Sequence, residues 1–165
     1  MPIEHVYGID YEIPSPPPFS EMGNFRFQEK EQYFRRIELP PSFDQLEFDE
    51  DGYAVYSEEQ EKFIDREFER VRYGYWFLNN GEATYITGTH YFYLNYWTLE
   101  DGNRPDYRDA DRRYFYYQDY WEKINWCLGI IRIKKRREGA TSQATADLTL
   151  TAITRAKARC GIVSK

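Results

Sequence analysis

The sequence contains only two cysteines, Cys127 and Cys160, among its 165 residues. Two cysteines are too few for a disulfide framework or a zinc cluster, so the composition fits a reducing compartment. Each cysteine flanks an apolar run, which predicts buried thiols. No apolar stretch reaches membrane-spanning length, and the acidic, Pro-rich amino end lacks the basic and apolar segments of a signal peptide. These absences predict a soluble intracellular protein.

Positive charge is scarce in the first part of the chain. Residues 1–101 contain 8 Lys and Arg against 21 Asp and Glu, a net charge of −13. Residues 102–165 contain 14 Lys and Arg against 7 Asp and Glu, a net charge of +7. This asymmetry indicates different partners for the two parts, and the basic part suits the phosphates of a nucleotide or of DNA. The alternative is that the two parts simply attract one another.

Aromatic residues are abundant, with 16 Tyr and 11 Phe. Before Ser57, however, prolines and acidic turns favour extended backbone. We therefore expect residues 1–57 to form a poorly ordered acidic arm, with one short helix between Glu29 and Ile37. Residues 58–126 are expected to form a helical, aromatic-rich lead-in to the basic end.

Two amphipathic helices are predicted in this lead-in. The first runs from Ser57 to Arg72, with Ser57 as its cap and glutamates near its positive end. The second runs from Asp109 to about Asn125, capped by Asp109 or Asp111. A helix carrying the aromatic run after Thr87 is also expected. Between the first helix and Thr87, the turn signal Asn79-Asn80-Gly81 predicts a β-hairpin.

The basic end has the pattern strand, loop, helix, strand. Leu128–Ile133 is an apolar strand candidate, residues 134–141 form a basic loop, Ser142 to about Ala158 is a helix, and residues 160–164 are a second strand. This order predicts a βαβ unit in a buried parallel sheet. Residues 127–165 are thus expected to begin an α/β domain whose sheet is incomplete within this chain.

The loop between strand and helix has the groups that bind phosphate. Gly139 lets the backbone come close to a ligand, and Ala140, Thr141 and Ser142 present amides at the start of the helix. Thr141 also offers a hydroxyl to magnesium. Lys134, Lys135, Arg136 and Arg137 supply positive charge, whereas Glu138 is expected to pair with an arginine and point outward.

The match to the common nucleotide-binding pattern G-x-x-x-x-G-K-[ST] is partial. Gly139 and Thr141 fit, but Lys134 replaces the first glycine and Ala140 replaces the lysine. Taken alone, such a match is weak. The alternative for Lys134–Arg137 is a solvated basic surface or a nucleic-acid contact.

The residues around 70–165 resemble large terminase subunits of tailed bacteriophages. These proteins often have a deviant loop with the basic residue at its front, to which Lys134, Arg136, Arg137, Gly139 and Thr141 are similar. Upstream, Tyr85–Trp97 and Arg104–Phe115 are similar to the segment that precedes the motor domain in one branch of the family.

The resemblance implies the first part of a P-loop ATPase that drives double-stranded DNA into a procapsid. It implies ATP and Mg²⁺ as cofactors, and a portal protein, a small terminase subunit and a homo-oligomeric ring as partners. It implies an ATPase followed by a nuclease domain, in the host cytoplasm and without a membrane. By position, Thr141 would hold magnesium, and Lys134, Arg136 or Arg137 would contact the β- and γ-phosphates.

The acidic pair that positions magnesium and water in this family is not found after the loop, so catalytic residues are not assigned and this chain alone is expected to be inactive. The rivals are another motor of the same fold, such as a helicase, and a non-enzymatic phage structural or DNA-binding protein. The favoured interpretation of Gln118 is structural, with an adenine contact as the alternative. His90 is expected to pack among aromatic rings, because it has no second ligand at metal spacing.

Overall fold

A computed structural model of the protein describes residues 1–25, 39–124, 130–133 and 139–161. Seven short strands and four α-helices are formed by these residues, together with 3-10 turns at Phe19–Glu21 and Pro41–Asp44. In chain order, the elements are β1 Ile3–Val6, β2 Ile9–Glu12, β3 Gly23–Phe25, β4 Glu47–Phe48, β5 Ala54–Val55, α1 Glu58–Tyr73, β6 Tyr75–Asn79, β7 Glu82–Ile86, α2 Gly88–Tyr96, α3 Asp109–Ile124 and α4 Ala140–Thr154.

The strands pair mainly as local antiparallel hairpins. β1 pairs with β2, β4 with β5, and β6 with β7. The three-residue strand β3 adds in parallel to the free edge of β6. Short hairpins need only a tight turn between their strands, whereas a parallel sheet needs long crossovers.

The predicted parallel sheet with a βαβ unit at residues 127–165 is wrong. Residues 130–133 and 159–161 form no strand, although α4 is present between them. Ile131 and Ile133 are 94% and 97% exposed, so this apolar run has no neighbouring strand in the described residues to bury it. An apolar run forms a strand only where a partner strand supplies hydrogen bonds and a covering face. The fold is instead a mixed arrangement of hairpins and helices.

Helix α1 begins where the sequence predicts. The side chain of Ser57 accepts a hydrogen bond from the Gln60 amide, and the Gln60 side chain accepts one from the Ser57 amide at 2.7 Å. This capping box satisfies two amides that no helical carbonyl reaches. The Gln60 amide group also donates to the Ser42 carbonyl at 2.7 Å, which fixes the preceding turn against the helix.

The predicted hairpin at residues 75–86 is confirmed as β6 and β7. Asn80 and Gly81 have φ values of 53° and 88°, the two positive values that a type I′ turn requires. The hairpin leads directly to Thr87, whose side chain accepts a hydrogen bond from the His90 amide and caps α2. The helix expected after Thr87 is therefore also confirmed.

Helix α2 lies at the centre of the main core. Six consecutive residues from His90 to Asn95 are buried, so the helix is covered on every side. It packs between α1, α3 and α4. As expected, His90 lies among aromatic rings, with its ring centroid 4.7 Å from that of Phe115 and 5.8 Å from that of Tyr107.

The first hairpin forms a second core with α3 and β7, rather than part of a poorly ordered arm. Val6 and Tyr11 are buried, and the Tyr11 ring stacks on Tyr116 with centroids 4.4 Å apart. The Tyr11 hydroxyl donates to Asp119 at 2.6 Å. The buried face of β2 consists of alternating apolar residues. This pattern is too short to distinguish a strand from a polar tail in the sequence alone.

The remaining expectations concern the two cysteines, one short helix and membrane-spanning length. Cys160 is a free, exposed thiol, so its predicted burial is wrong. Cys127 and the helix expected between Glu29 and Ile37 lie outside the described residues. Among the described helices, none combines the length and the apolar character needed to cross a membrane.

Candidate phosphate site at the start of α4

The predicted site residues divide into two groups. Lys134, Lys135, Arg136, Arg137 and Glu138 lie outside the described residues. Gly139, Ala140, Thr141 and Ser142 are described and form the amino end of α4, which starts two residues earlier than the sequence suggests. The described part of the site therefore consists of the second group and its neighbours.

Gly139 is the cap residue of α4 and has a left-handed backbone, with φ 73° and ψ 10°. No side chain caps the helix, and the first helical bond runs from the Gln143 amide to the Gly139 carbonyl at 3.0 Å. The amides of Ala140, Thr141 and Ser142 come before that bond and have no helical acceptor. Such amides attract anions, because they lie at the positive end of the helix dipole.

Arg108, just before α3, lies beside this helix start. A Cβ atom placed on Gly139 would lie 3.6 Å from Nη2 of Arg108 and 3.7 Å from the Tyr93 hydroxyl. There is room for a methyl group, but a left-handed φ disfavours any side chain with a Cβ. Gly139 thus leaves its backbone open next to a guanidinium group.

A second guanidinium group reaches the first turn of α4. Arg132 donates from Nη1 to Oε1 of Gln143, a residue that is only 1% exposed. The same guanidinium lies 3.9 Å from the centroid of the Tyr114 ring. Nε2 of Gln143 has no hydrogen-bond partner within the described parts of the chain. Arg132 therefore connects the 130–133 segment to both α3 and α4.

One carboxylate partly offsets these positive charges. Asp111 is almost fully buried and accepts from Nε and Nη2 of Arg108 at 2.7 and 3.0 Å. Burial and the Asp111 charge raise the pKa of Tyr93 to about 12, while Arg108 and Arg132 act in the opposite direction. Tyr93 is therefore a neutral hydrogen-bonding group at physiological pH.

Thr141 is exposed in the first turn of α4. Its carbonyl accepts a hydrogen bond from the Thr145 hydroxyl at 2.8 Å. A surface hydroxyl beside uncapped amides is compatible with a ligand that carries phosphate and a metal ion.

Gln118 lies away from the helix start. It follows Tyr114 by one turn of α3, and its Nε2 donates to Glu122 at 3.0 Å. The neighbouring Asp147 of α4 is a carboxyl group whose pKa is raised to about 6 by burial and by the charge of Glu122, while Gln118 acts in the opposite direction. These contacts support the structural interpretation of Gln118.

Sequence reasoning missed Arg108, Arg132 and Tyr93. Arg132 could have been found, because it directly precedes the basic loop. Arg108 and Tyr93 are distant in sequence, and only the packing of α2, α3 and α4 brings them to Gly139. In the described residues no group of three or more His, Cys, Asp or Glu side chains is arranged to hold a metal ion.

Comparison with protein-family models, with curated proteins and with solved structures finds no match for this chain.

Proposed function

We propose that the chain is the N-terminal part of a DNA-packaging ATPase of the large-terminase type, and that the amino end of α4 binds the phosphates of ATP. The observation that carries this proposal is the uncapped helix start at Gly139, with Arg108 beside it. The remaining support is the sequence resemblance of the loop and of the aromatic segments before it.

The described residues fit a magnesium nucleotide. The amides of Ala140, Thr141 and Ser142 suit phosphate oxygens, and the exposed Thr141 hydroxyl suits magnesium. Magnesium would neutralise charge on the β- and γ-phosphates. Arg108 would add a fixed positive charge, and Arg132 would hold the preceding segment against the helix.

The proposal does not include a parallel sheet, because the described residues at the basic end form none. It requires only a helix start that presents amides, a glycine that exposes backbone, and nearby cations. The helix start and the glycine belong to α4, which packs on α2, and the nearby cations are Arg108 and Arg132.

The wider setting belongs to the same proposal. Double-stranded DNA, a portal protein, a small terminase subunit and a homo-oligomeric ring are the partners that the resemblance implies, in the cytoplasm of an infected host. ATP hydrolysis and nuclease activity would need residues that this chain does not supply. We therefore expect binding of the magnesium nucleotide by this chain, without robust turnover.

The direct test is substitution of the proposed magnesium ligand. Thr141→Ala should weaken binding of Mg-ATP by at least about tenfold, as losses around metal sites commonly do. Binding of ATP in the presence of EDTA should change much less, because the metal is then absent. Isothermal titration calorimetry would measure both affinities, and a filter-binding assay would measure DNA affinity.

Thr149→Ala is the matched control, since Thr149 lies on the same helix, two turns beyond the proposed site. It should leave both affinities unchanged. Equal loss of nucleotide and DNA binding in Thr141→Ala would contradict the proposal. Steeply salt-dependent DNA binding without any nucleotide binding would instead favour the non-enzymatic DNA-binding alternative.

A further inference from the structure

A cavity of about 570 Å³ adjoins the proposed phosphate site. Its volume lies in the range of small-molecule pockets. Arg108 lines this cavity and also lies beside Gly139, so the cavity and the start of α4 share one side chain. A ligand with phosphates at α4 could therefore place its remaining part in the cavity.

Three tyrosine rings and two guanidinium groups line the cavity, together with Asp111, Ala110 and the isoleucines of residues 130–133. Tyrosine rings come from the first hairpin and from α3, and the guanidinium of Arg132 lies over one of them. Tyr7 contacts Tyr117 edge to face, with centroids 5.9 Å apart. Aromatic and guanidinium planes are the groups on which nucleobases stack.

Tyr7 is held in an unfavourable backbone conformation. It has φ 48° and is followed by Gly8 with φ 85°, so the two residues form the tight turn between β1 and β2. The first position of such a turn favours Asn, Asp or Gly over a bulky side chain. Backbone outliers of this kind concentrate at ligand sites. This turn residue lines the cavity.

The geometry points to this cavity as the site for the base of the nucleotide, stacked among Tyr7, Tyr114 and Tyr117. This inference rests on the proposed function, because Arg108 both lies beside the start of α4 and lines the cavity. It assigns base recognition to tyrosine rings and not to Gln118, which lies one turn farther along α3 and bonds with Glu122.

The test compares Mg-ATP with magnesium tripolyphosphate, which has the phosphates but no base. Tyr7→Asn removes the ring and installs a residue that suits the turn, so this variant should fold. It should weaken Mg-ATP binding by about tenfold, a typical loss for one stacking ring, and leave tripolyphosphate binding unchanged. Tyr114→Leu should do the same, and Tyr114→Phe should retain affinity because it keeps the ring.

Tyr53→Ser is the matched control, since Tyr53 is 71% exposed and lies outside the cavity. Calorimetry would give the affinities, and circular dichroism would verify folding. Unchanged Mg-ATP affinity in Tyr7→Asn and Tyr114→Leu would overturn the base site while leaving the phosphate site intact. Failure of both ligands to bind the unmodified chain would reject the proposed function as well. Tyrosine-dependent binding of single-stranded DNA without Mg-ATP binding would assign the cavity to nucleic-acid bases and overturn the inference.

Discussion

Gly88, the first residue of α2, lies directly against the backbone carbonyl of Val71 near the end of α1. A Cβ atom on Gly88 would be 1.7 Å from the Val71 oxygen and 2.5 Å from its carbonyl carbon. Both obstacles are backbone atoms, which cannot move aside as a flexible side chain would. The close contact between α1 and α2 therefore depends on the missing side chain.

We expect Gly88→Ala to lower the free energy of unfolding by at least about 2 kcal/mol, since overpacking a closed contact commonly costs about 1–3 kcal/mol. Chemical denaturation followed by circular dichroism would measure this loss. Gly161→Ala is the control, because nothing lies within 4 Å of its added Cβ. A loss in Gly88→Ala no larger than in Gly161→Ala would mean that α1 and α2 can separate freely.

The sequence predicted the elements that depend on local chemistry. Ser57 and Gln60 form a capping box within one turn, and Asn80-Gly81 fixes its hairpin through two positive φ values. Such signals are complete within a few residues, so distant packing does not alter them. In contrast, the sequence predicted a helix after Thr87 but not the role of Gly88, because its contact with Val71 exists only after α1 and α2 meet.

The prediction of a parallel sheet was wrong because a strand needs a partner strand. The apolar run ending at Ile133 was interpreted without knowing which strand would lie beside it, and in the described residues none does. The sequence placed Gly139 and Thr141 near the start of a helix, and the structure has that helix as α4. The position of Arg108 beside Gly139 could not be predicted from the sequence, since only tertiary packing brings the two residues together.

Glu67 is a buried carboxylate that joins α1 to α2. It accepts hydrogen bonds from the hydroxyl groups of Tyr91 and Tyr96 at 2.5 and 2.7 Å, and from Arg70 at 2.7 Å. Glu67→Leu should lower the free energy of unfolding by about 3–5 kcal/mol, because it leaves a partly buried arginine and two tyrosines without their acceptor. Urea titration would measure the change.

Glu69→Leu provides the comparison on the same helix, since Glu69 is exposed. Its effect should stay within about 0.5 kcal/mol. Similar small losses in both variants would show that Arg70 and the two tyrosines find other acceptors when Glu67 is absent.

The burial of His90 makes the stability of the core sensitive to acid. It is fully buried, and neither ring nitrogen has a hydrogen-bond partner among the described residues. Burial and the positive charges of Arg112 and Arg108 lower its pKa from 6.5 to about 3. Between these values the unfolded chain binds a proton that the folded chain does not. The contribution of His90 to stability is therefore intact above pH 6.5 and is lost as the pH falls toward 3.

His90→Phe removes this titration while keeping an aromatic ring. Relative to the unmodified chain, its free energy of unfolding should rise by up to about 1.4 kcal/mol for each pH unit below 6.5. The raised pKa of Asp147 changes the free energy of unfolding with pH in the opposite direction. Asp147 is present in both proteins, so its effect cancels in the difference. Urea titrations at several pH values between 4 and 7 would measure the slope, and a difference independent of pH would contradict a neutral, buried His90.

The ion pair between Arg108 and Asp111 allows a test in which two substitutions have opposite effects on phosphate binding. Arg108→Gln removes a positive charge next to Gly139 and should weaken binding of magnesium tripolyphosphate several-fold. Asp111→Asn removes the negative charge that offsets Arg108 and should strengthen that binding. Both variants break the same ion pair, so damage to the fold would weaken binding in each. Calorimetry at low and high salt would measure the affinities, and a loss in both variants would assign the pair a purely structural role.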